Sequence, residues 1–438
     1  MRLWKAVTLT SGTKAYWMLG AMVITIITAR TLGPQGRGVI AAATSWVSLF
    51  VAFGHFSLAN IIVYLLSGRN VTPSLSEGPG GAGGAIVEPP GRPGPSLTLG
   101  VTNNLLPAVT GSVMLLTTLT TLLGWAIAAA MYFLTHGRLF QHMAMPVLLV
   151  AFATLPFLLW MENGNSLLIV LGDLKRLNFA QAAGTTIGVI LVILAVGVWK
   201  GGVVAAIGAT LVSYIVVVGL GLARVVAASR PLSVSRPVVR SLLGGGAKLH
   251  VAAVSTFFFT NIAVILLNQF RPVSEVGFFQ LAMQLTMAMQ VVPMSIAIVA
   301  YSLVARDGPE AAWHEHRTLV WQTMLYAVVA AVVAWIAAPF VVPLLAGRAF
   351  APAVPVFRVA ALSIFGMALA AVMTPQWVAR GCFIRNSLLA IVAAAAGIAG
   401  NYFLIPRYGM IAAAWVMVAS YTIHFAGNVA FAVWIGRG

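Results

Sequence analysis

Apolar runs of twenty residues or more recur from one end of this 438-residue chain to the other, and the charged residues gather between them. About twenty apolar residues suffice for a helix to cross roughly 30 Å of hydrocarbon. Inside hydrocarbon no water satisfies the backbone, so each crossing must bond its own N–H and C=O groups, and helices do this segment by segment. Composition agrees, with 61% hydrophobic and 8% charged residues, where soluble domains carry about 25% charged. The chain therefore reads as an all-α, polytopic membrane protein, and the soluble classes are excluded.

Twelve spans are predicted, at 9–30, 39–66, 104–134, 144–171, 177–198, 203–226, 246–268, 278–305, 318–346, 354–379, 385–405 and 410–435. An even count puts both termini on one side. Assigning every Lys and Arg to its nearer span end gives seventeen on that side and eight on the other. The positive-inside rule then predicts cytoplasmic termini in a cytoplasmic (inner) membrane. The net charge of +17 has the same origin, since bases at span ends meet anionic headgroups. Membrane lipids, not nucleic acid, are its expected partners. The single cysteine, Cys382, excludes an internal disulfide and a cysteine metal cluster. Arg2 and Lys5 ahead of an apolar run resemble the flank of a signal peptide. That run is too long for one and lacks a small-x-small cleavage site, so a retained first helix is expected.

The second half also repeats the end of the first. Lys200-Gly201-Gly202 is followed eleven residues later by Ser213-Tyr214, and Arg407-Tyr408-Gly409 is followed eleven residues later by Ser420-Tyr421. Ala205-Ala206 matches Ala412-Ala413 in the same register of 207, and Gly172-x3-Arg176 recurs as Gly381-x3-Arg385 at 209. Such an echo predicts two homologous six-helix bundles around a central cavity, related by an axis along the membrane normal. The expected domains are 1–228 and 246–438, joined by a basic cytoplasmic linker at 229–245. Gly12-Thr13-Lys14 and Gly246-Ala247-Lys248 open the two bundles. Pro34 with Gly38, and Pro272 with Gly277, mark the first turn of each. Within 67–100, the stretch 73–95 has thirteen Gly or Pro among 23 residues. This composition predicts a flexible cytoplasmic loop, and the glycines lack the Lys-Ser/Thr of a phosphate-binding loop.

Ionisable groups inside a membrane are costly and are functional candidates by default. Glu162 is the acid placed well inside a span, with Asn165 and Ser166 three and four positions on. It suits a site coupling H⁺ or Na⁺, or a counter-ion to a cavity cation; the competing role is a Glu that locks two helices. Lys14, Arg30, Lys248, Arg271 and Arg358 are candidates to line a cationic path suited to a phosphate-bearing substrate. Those near span ends have the plainer alternative of snorkelling to headgroups, and Arg358 lies deepest. His55, His250 and His424 fall on separate spans without ligand-like spacing, so neither a metal nor another cofactor is expected.

Three turns carry a resemblance. Ala29-Arg30-Thr31-Leu32-Gly33-Pro34-Gln35-Gly36-Arg37-Gly38 resembles the A-R-x-L-G-P-x-G-x-G turn of polysaccharide flippases. These are the O-antigen and capsule repeat-unit translocases of the multidrug/oligosaccharidyl-lipid/polysaccharide (MOP) exporter superfamily. Ser274-Glu275-Val276-Gly277-Phe278-Phe279 resembles their E-V-G-x-[YF] turn, and Pro406 to Ala414 resembles their P-x-[YF]-G-x-x-G-A-A turn. The resemblance implies alternating access and an undecaprenyl-pyrophosphate-linked oligosaccharide as substrate, with other polysaccharide-assembly membrane proteins as possible partners. The Gly/Pro-rich loop is atypical of the family. Twelve spans, and no arginine cluster along the first helix, depart from lipid II flippases. A cation-coupled drug exporter of the same superfamily is the alternative. A membrane enzyme acting on lipid-linked sugars is disfavoured, because it needs carboxylates or a metal near the outer face and that side offers only Glu275.

Overall fold

The computed structural model describes residues 2–66 and 102–437, without the side chains of 2–11, 14, 15, 102–104, 248, 249, 251, 252, 256, 383 and 437. The predicted flexible loop at 67–100 lies outside the described residues. The described residues are mainly helical, with no strand among them. Helix α1 (Arg2–Gly54) and α2 (Leu58–Leu66) are followed by α3 (Thr102–Leu134), α4 (Met145–Phe152), α5 (Leu155–Val170), α6 (Leu174–Val192) and α7 (Gly202–Ala228). Then come α8 (Arg236–Phe270), α9 (Val273–Ala288), α10 (Val291–Asp307), α11 (Trp313–Ala346), α12 (Ala353–Ala361), α13 (Ile364–Ala379) and α14 (Phe383–Arg437).

Among the described residues, nine helical stretches are long and apolar enough to cross a membrane, or ten if the pair α9 and α10, bent by 41°, forms one span. Two of the nine, 16–54 and 384–436, run to 39 and 53 residues, beyond what one crossing needs. Each contains one residue with non-helical angles, Gly33 (φ 67°) or Gly409 (φ 61°). Only glycine takes such angles without a steric cost. Dividing both stretches there gives twelve crossings, and the chain is a multi-pass membrane protein.

Contacts separate the chain into two compact units. One comprises 1–27 and 43–257; the other comprises 28–42 and 258–438. The core of the first is built from Ile62 on α2, Val113 on α3, Leu167 on α5, Val225 on α7 and Leu242 on α8, all fully buried. In the second, α13 is the central element, burying Ile364, Ala368, Val372 and Met373 completely. Near its end the Trp377 ring stacks on Phe431 with centroids 3.5 Å apart, and its indole N–H donates to Asn428 Oδ1 at 2.8 Å.

Helix α11 shows the packing logic of hydrocarbon. Its buried positions are mainly small (Ala327, Ala331, Ala334, Ala338), whereas Leu325, Ile336 and Phe340 are 67%, 64% and 73% exposed. Lipid solvates large apolar side chains as well as a protein core does, so close approach by small residues drives helix association.

The repeated residues turn out to set backbone geometry. Gly202 and Gly409, the matching glycines of the 207-residue register, both have positive φ (71° and 61°), as do Gly172 and Gly381 (69° and 66°). The repeated serines also meet equivalent glycines. A Cβ on Gly188 would lie 3.1 Å from Ser213 Oγ, and one on Gly397 would lie 3.0 Å from Ser420 Oγ. A further echo escaped the sequence reading. The fourth and tenth spans both break, before Leu155 and before Ile364. At each break a hydroxyl bonds the carbonyl three residues back: Thr154 to Ala151 at 2.6 Å and Ser363 to Ala360 at 2.7 Å.

Candidate functional site

In the first unit, α5 carries the intramembrane acid. The helix starts at Leu155-Pro156, where proline is tolerated because the first-turn N–H groups have no helical partner. It buries Leu159, Asn163, Ser166 and Leu167 and leaves Glu162 exposed, with Asn165 half-buried beside it. No hydrogen-bond or ion-pair partner holds the Glu162 carboxyl among the described residues. Among the described residues it makes no polar pair that would lock two helices. Ser166 donates weakly to the Glu162 backbone carbonyl at 3.4 Å, so its hydroxyl is turned back onto its own helix. The helix-locking role falls instead to Asn163, which donates to Thr117 Oγ1 on α3 at 3.0 Å from a site 1% exposed.

The cationic candidates are dispersed. Side chains of Lys14 and Lys248 lie outside the described residues. Arg30, in the second unit, donates from Nε to the Leu345 carbonyl at 3.0 Å and from Nη2 to the Leu344 carbonyl. These are among the last carbonyls of α11, which lack helical partners and attract cations. Arg271 pairs with Glu275 one helical turn on, its Nη2 standing 2.8 Å from Oε1. The other Glu275 oxygen accepts the Met410 N–H at 2.9 Å. Thus the carboxylate of the second turn motif caps the helical segment that restarts after Gly409 in the third. A Cβ on Gly409 would fall on that carboxylate and within 2.9 Å of Arg271 Nε. Arg358 donates from Nε to the Trp335 carbonyl at 2.9 Å, with its guanidinium 5.5 Å from the centre of the Trp335 ring. Arg30, Arg271 and Arg358 thus each have their own local partner, and these contacts do not join them into one cluster.

The first turn motif meets the second directly. A Cβ on Gly38 would overlap the Val273 carbonyl, and a Cβ on Gly277 would overlap the Pro34 carbonyl; each would lie 3.1 Å from the backbone nitrogen of the other glycine. Both turns belong to the second unit, where glycine allows backbone to approach backbone.

The structure also brings together two histidines that sequence spacing kept apart. His55, in the break between α1 and α2, and His250, on α8, have ring centroids 5.7 Å apart. Their separation of 195 positions offers no local signal. The neighbouring triplet Gly244-Gly245-Gly246 is the trace of close packing that sequence could have supplied.

No family model and no curated protein sequence matches this chain. Solved structures do. The chain is similar to one described as lipid II flippase MurJ in an inward closed conformation, at 11% identity and TM-score 0.73, over 98% of this chain and 87% of that one. It is similar to an inward-facing multidrug resistance MATE family transporter of the MOP superfamily, at 15% identity and TM-score 0.67, over 96% of both chains. A third likeness, at 15% identity and TM-score 0.52 over 97% and 95%, is to a MOP superfamily transporter from Pyrococcus furiosus whose structure is described by the reverse polarity of its binding pocket. At such identities the likeness shows the fold alone, an all-helical one that this chain shares with these solved transporters.

Proposed function

We propose that this chain is a transporter that flips undecaprenyl-pyrophosphate-linked oligosaccharide repeat units across the cytoplasmic membrane by alternating access, for polysaccharide biosynthesis. The observation that carries this reading is the likeness to a lipid-linked precursor flippase along 98% of the chain, with a higher TM-score than the MATE transporter gives. The excess of 25 Lys and Arg over 8 Asp and Glu suits an anionic headgroup. Lys14 and Lys248, near the starts of the two bundles, are assigned to the pyrophosphate, where an ammonium acts as a point charge. Arg30, Arg271 and Arg358 have N–H donors beyond those spent on their local partners, since a guanidinium carries five, and are assigned supporting contacts. Glu162 with Asn165 is assigned the coupling ion, H⁺ or Na⁺, because an unpaired acid in a span needs a compensating charge or proton. The chemistry is translocation, and no bond is made or broken.

Deletion of the gene tests the reading. Lipid-linked repeat units are expected to accumulate on the cytoplasmic leaflet while surface polymer disappears. Normal polymer with altered drug sensitivity would transfer the assignment to drug export.

A further inference from the structure

We propose that His55 and His250 form a proton-binding site, and that its occupancy releases the Gly245–His250 stretch of α8 from the break between α1 and α2. The break is an unusual piece of chain. Phe56 and Ser57 both have positive φ (48° and 51°), which side-chain-bearing residues rarely adopt and which costs conformational energy. Two packing contacts seat α8 on it. A Cβ on Gly246 would overlap the Phe56 carbonyl, and one on Gly245 would lie 2.8 Å from Ile61 Cδ1. His250 then stacks on the Phe56 ring, with centroids 4.7 Å apart and planes at 17°, and faces Phe53 edge-on at 6.4 Å.

Both rings are held in a form that protonation disturbs. The Ser57 N–H donates to His55 Nδ1 at 2.9 Å, so neutral His55 keeps its proton on Nε2. A second proton at Nδ1 breaks the hydrogen bond that this imidazole accepts from the strained break. His250 Nδ1 is buried without a hydrogen-bond partner among the described residues. Protonated there, it becomes a buried cation whose N–H has no acceptor, a costly arrangement. With both rings charged, like charges face each other across 5.7 Å. Moving the Gly245–His250 stretch of α8 away from the break relieves all three effects.

Neither ring has a carboxylate partner among the described residues, and the ionisable group acting on His55 is His250 itself. The other ionisable groups on the elements around the pair are Arg2, Lys5, Lys14, Tyr16, Arg30 and Arg37 on α1, Tyr64 on α2, Glu162 on α5, and Arg236, Arg240 and Lys248 on α8. A zinc site is disfavoured, because zinc takes three or four ligands and no group of three candidate ligands exists among the described residues. Histidine is the side chain whose ordinary pKa lies near physiological pH. The proposal rests on the transporter reading only for its purpose, which is to make opening of this contact depend on proton supply.

Hydrogen exchange on the full chain in lipid nanodiscs tests it without a cargo. Protection factors, corrected for the intrinsic pH dependence of exchange, are compared at pH 8 and pH 5 for segments 53–61 and 244–254. In the wild type we expect protection in both segments to fall at least about tenfold at the lower pH, as local opening becomes favourable. His55→Gln with His250→Phe, the latter keeping a ring on Phe56, should abolish the change; His250→Asn serves as a second variant if the first does not fold. Protection independent of pH in the wild type, or an equal fall in a folded double variant, overturns the proposal. If the pH response appears but the gene deletion leaves polymer normal, the histidine site stands and the cargo assignment fails.

Discussion

Glu275 ties two distant turns together with one carboxylate, taking Arg271 on one oxygen and the Met410 N–H on the other. Charged hydrogen bonds of this kind contribute about 1.5–3 kcal/mol each. Glu275→Ala is expected to destabilise the second unit by about that amount, read as a lower midpoint of thermal unfolding in detergent. Gly409→Ala should cost a similar amount, since it combines left-handed backbone, at about 1–2 kcal/mol, with overlap on the same carboxylate. Half of this arrangement was legible, because Arg271 and Glu275 stand at the i,i+4 spacing of a helical ion pair. Nothing local could reveal Met410 as the second partner, 135 positions away. Asp173, outside the spans between α5 and α6, gives a pH test. Its carboxylate accepts from Arg224 Nε at 3.0 Å and from the Arg176 N–H at 3.2 Å, and the Arg224 bond, before all else, holds its pKa below the ordinary value. A carboxylate depressed on folding adds stability above its unfolded pKa, and that stability disappears as pH falls through the folded one. Acid titration of the unfolding midpoint should therefore show a loss below about pH 4 that Asp173→Asn removes. Glu162→Gln, by contrast, should leave the unfolding midpoint unchanged, because the carboxyl has no described partner to lose, while cutting transport at least about tenfold if it holds the coupling ion.

At the scale of elements, small residues decide where backbones meet. The turn motifs were legible as glycine and proline punctuation, and their glycines do take the close positions: Gly38 against Val273, Gly277 against Pro34. Sequence could not show that the two turns face each other, because glycine marks the absence of a side chain without naming the neighbour. Adding one methyl at either position forces backbone against backbone, an overpacking cost of about 1–3 kcal/mol. Gly38→Ala and Gly277→Ala are expected to lower stability by that amount singly. Together they should cost less than the sum, since the first separates the turns for the second. Helix α11 offers the converse test in lipid. Ala331→Leu on its buried face should destabilise by about 1–3 kcal/mol, whereas Ile336→Ala, on a side chain 64% exposed, should change stability by less than about 0.5 kcal/mol.

At the scale of the molecule, hydropathy and the 207-residue echo made the fold readable, since both arise from physics that is local or repeated. The candidate site was far less readable. Arg30 was visible as an intramembrane cation, but its partners are backbone carbonyls more than 300 positions away. Carbonyls exist at every residue and so leave no sequence mark. The same limit applies to the count of crossings, which turns on two glycines. If 16–54 and 384–436 were single spans, there would be ten crossings; if Gly33 and Gly409 each reverse the chain, there are twelve. Both counts are even and place the termini together, so the termini alone cannot distinguish them. The loops can. With twelve crossings, the turns at Gly137 and Gly347 lie on the side opposite the C-terminus, whereas with ten they lie on the same side as it. Phosphatase fusions, active only outside the cytoplasm, are expected to be active at Gly137 and Gly347 and inactive at Ser233 and after Arg437. Equal activity at Gly137 and the C-terminus would mean that the chain passes straight through its two glycines. Their left-handed angles, at 67° and 61°, would then bend helices without ending them, and the duplication would relate five crossings to five.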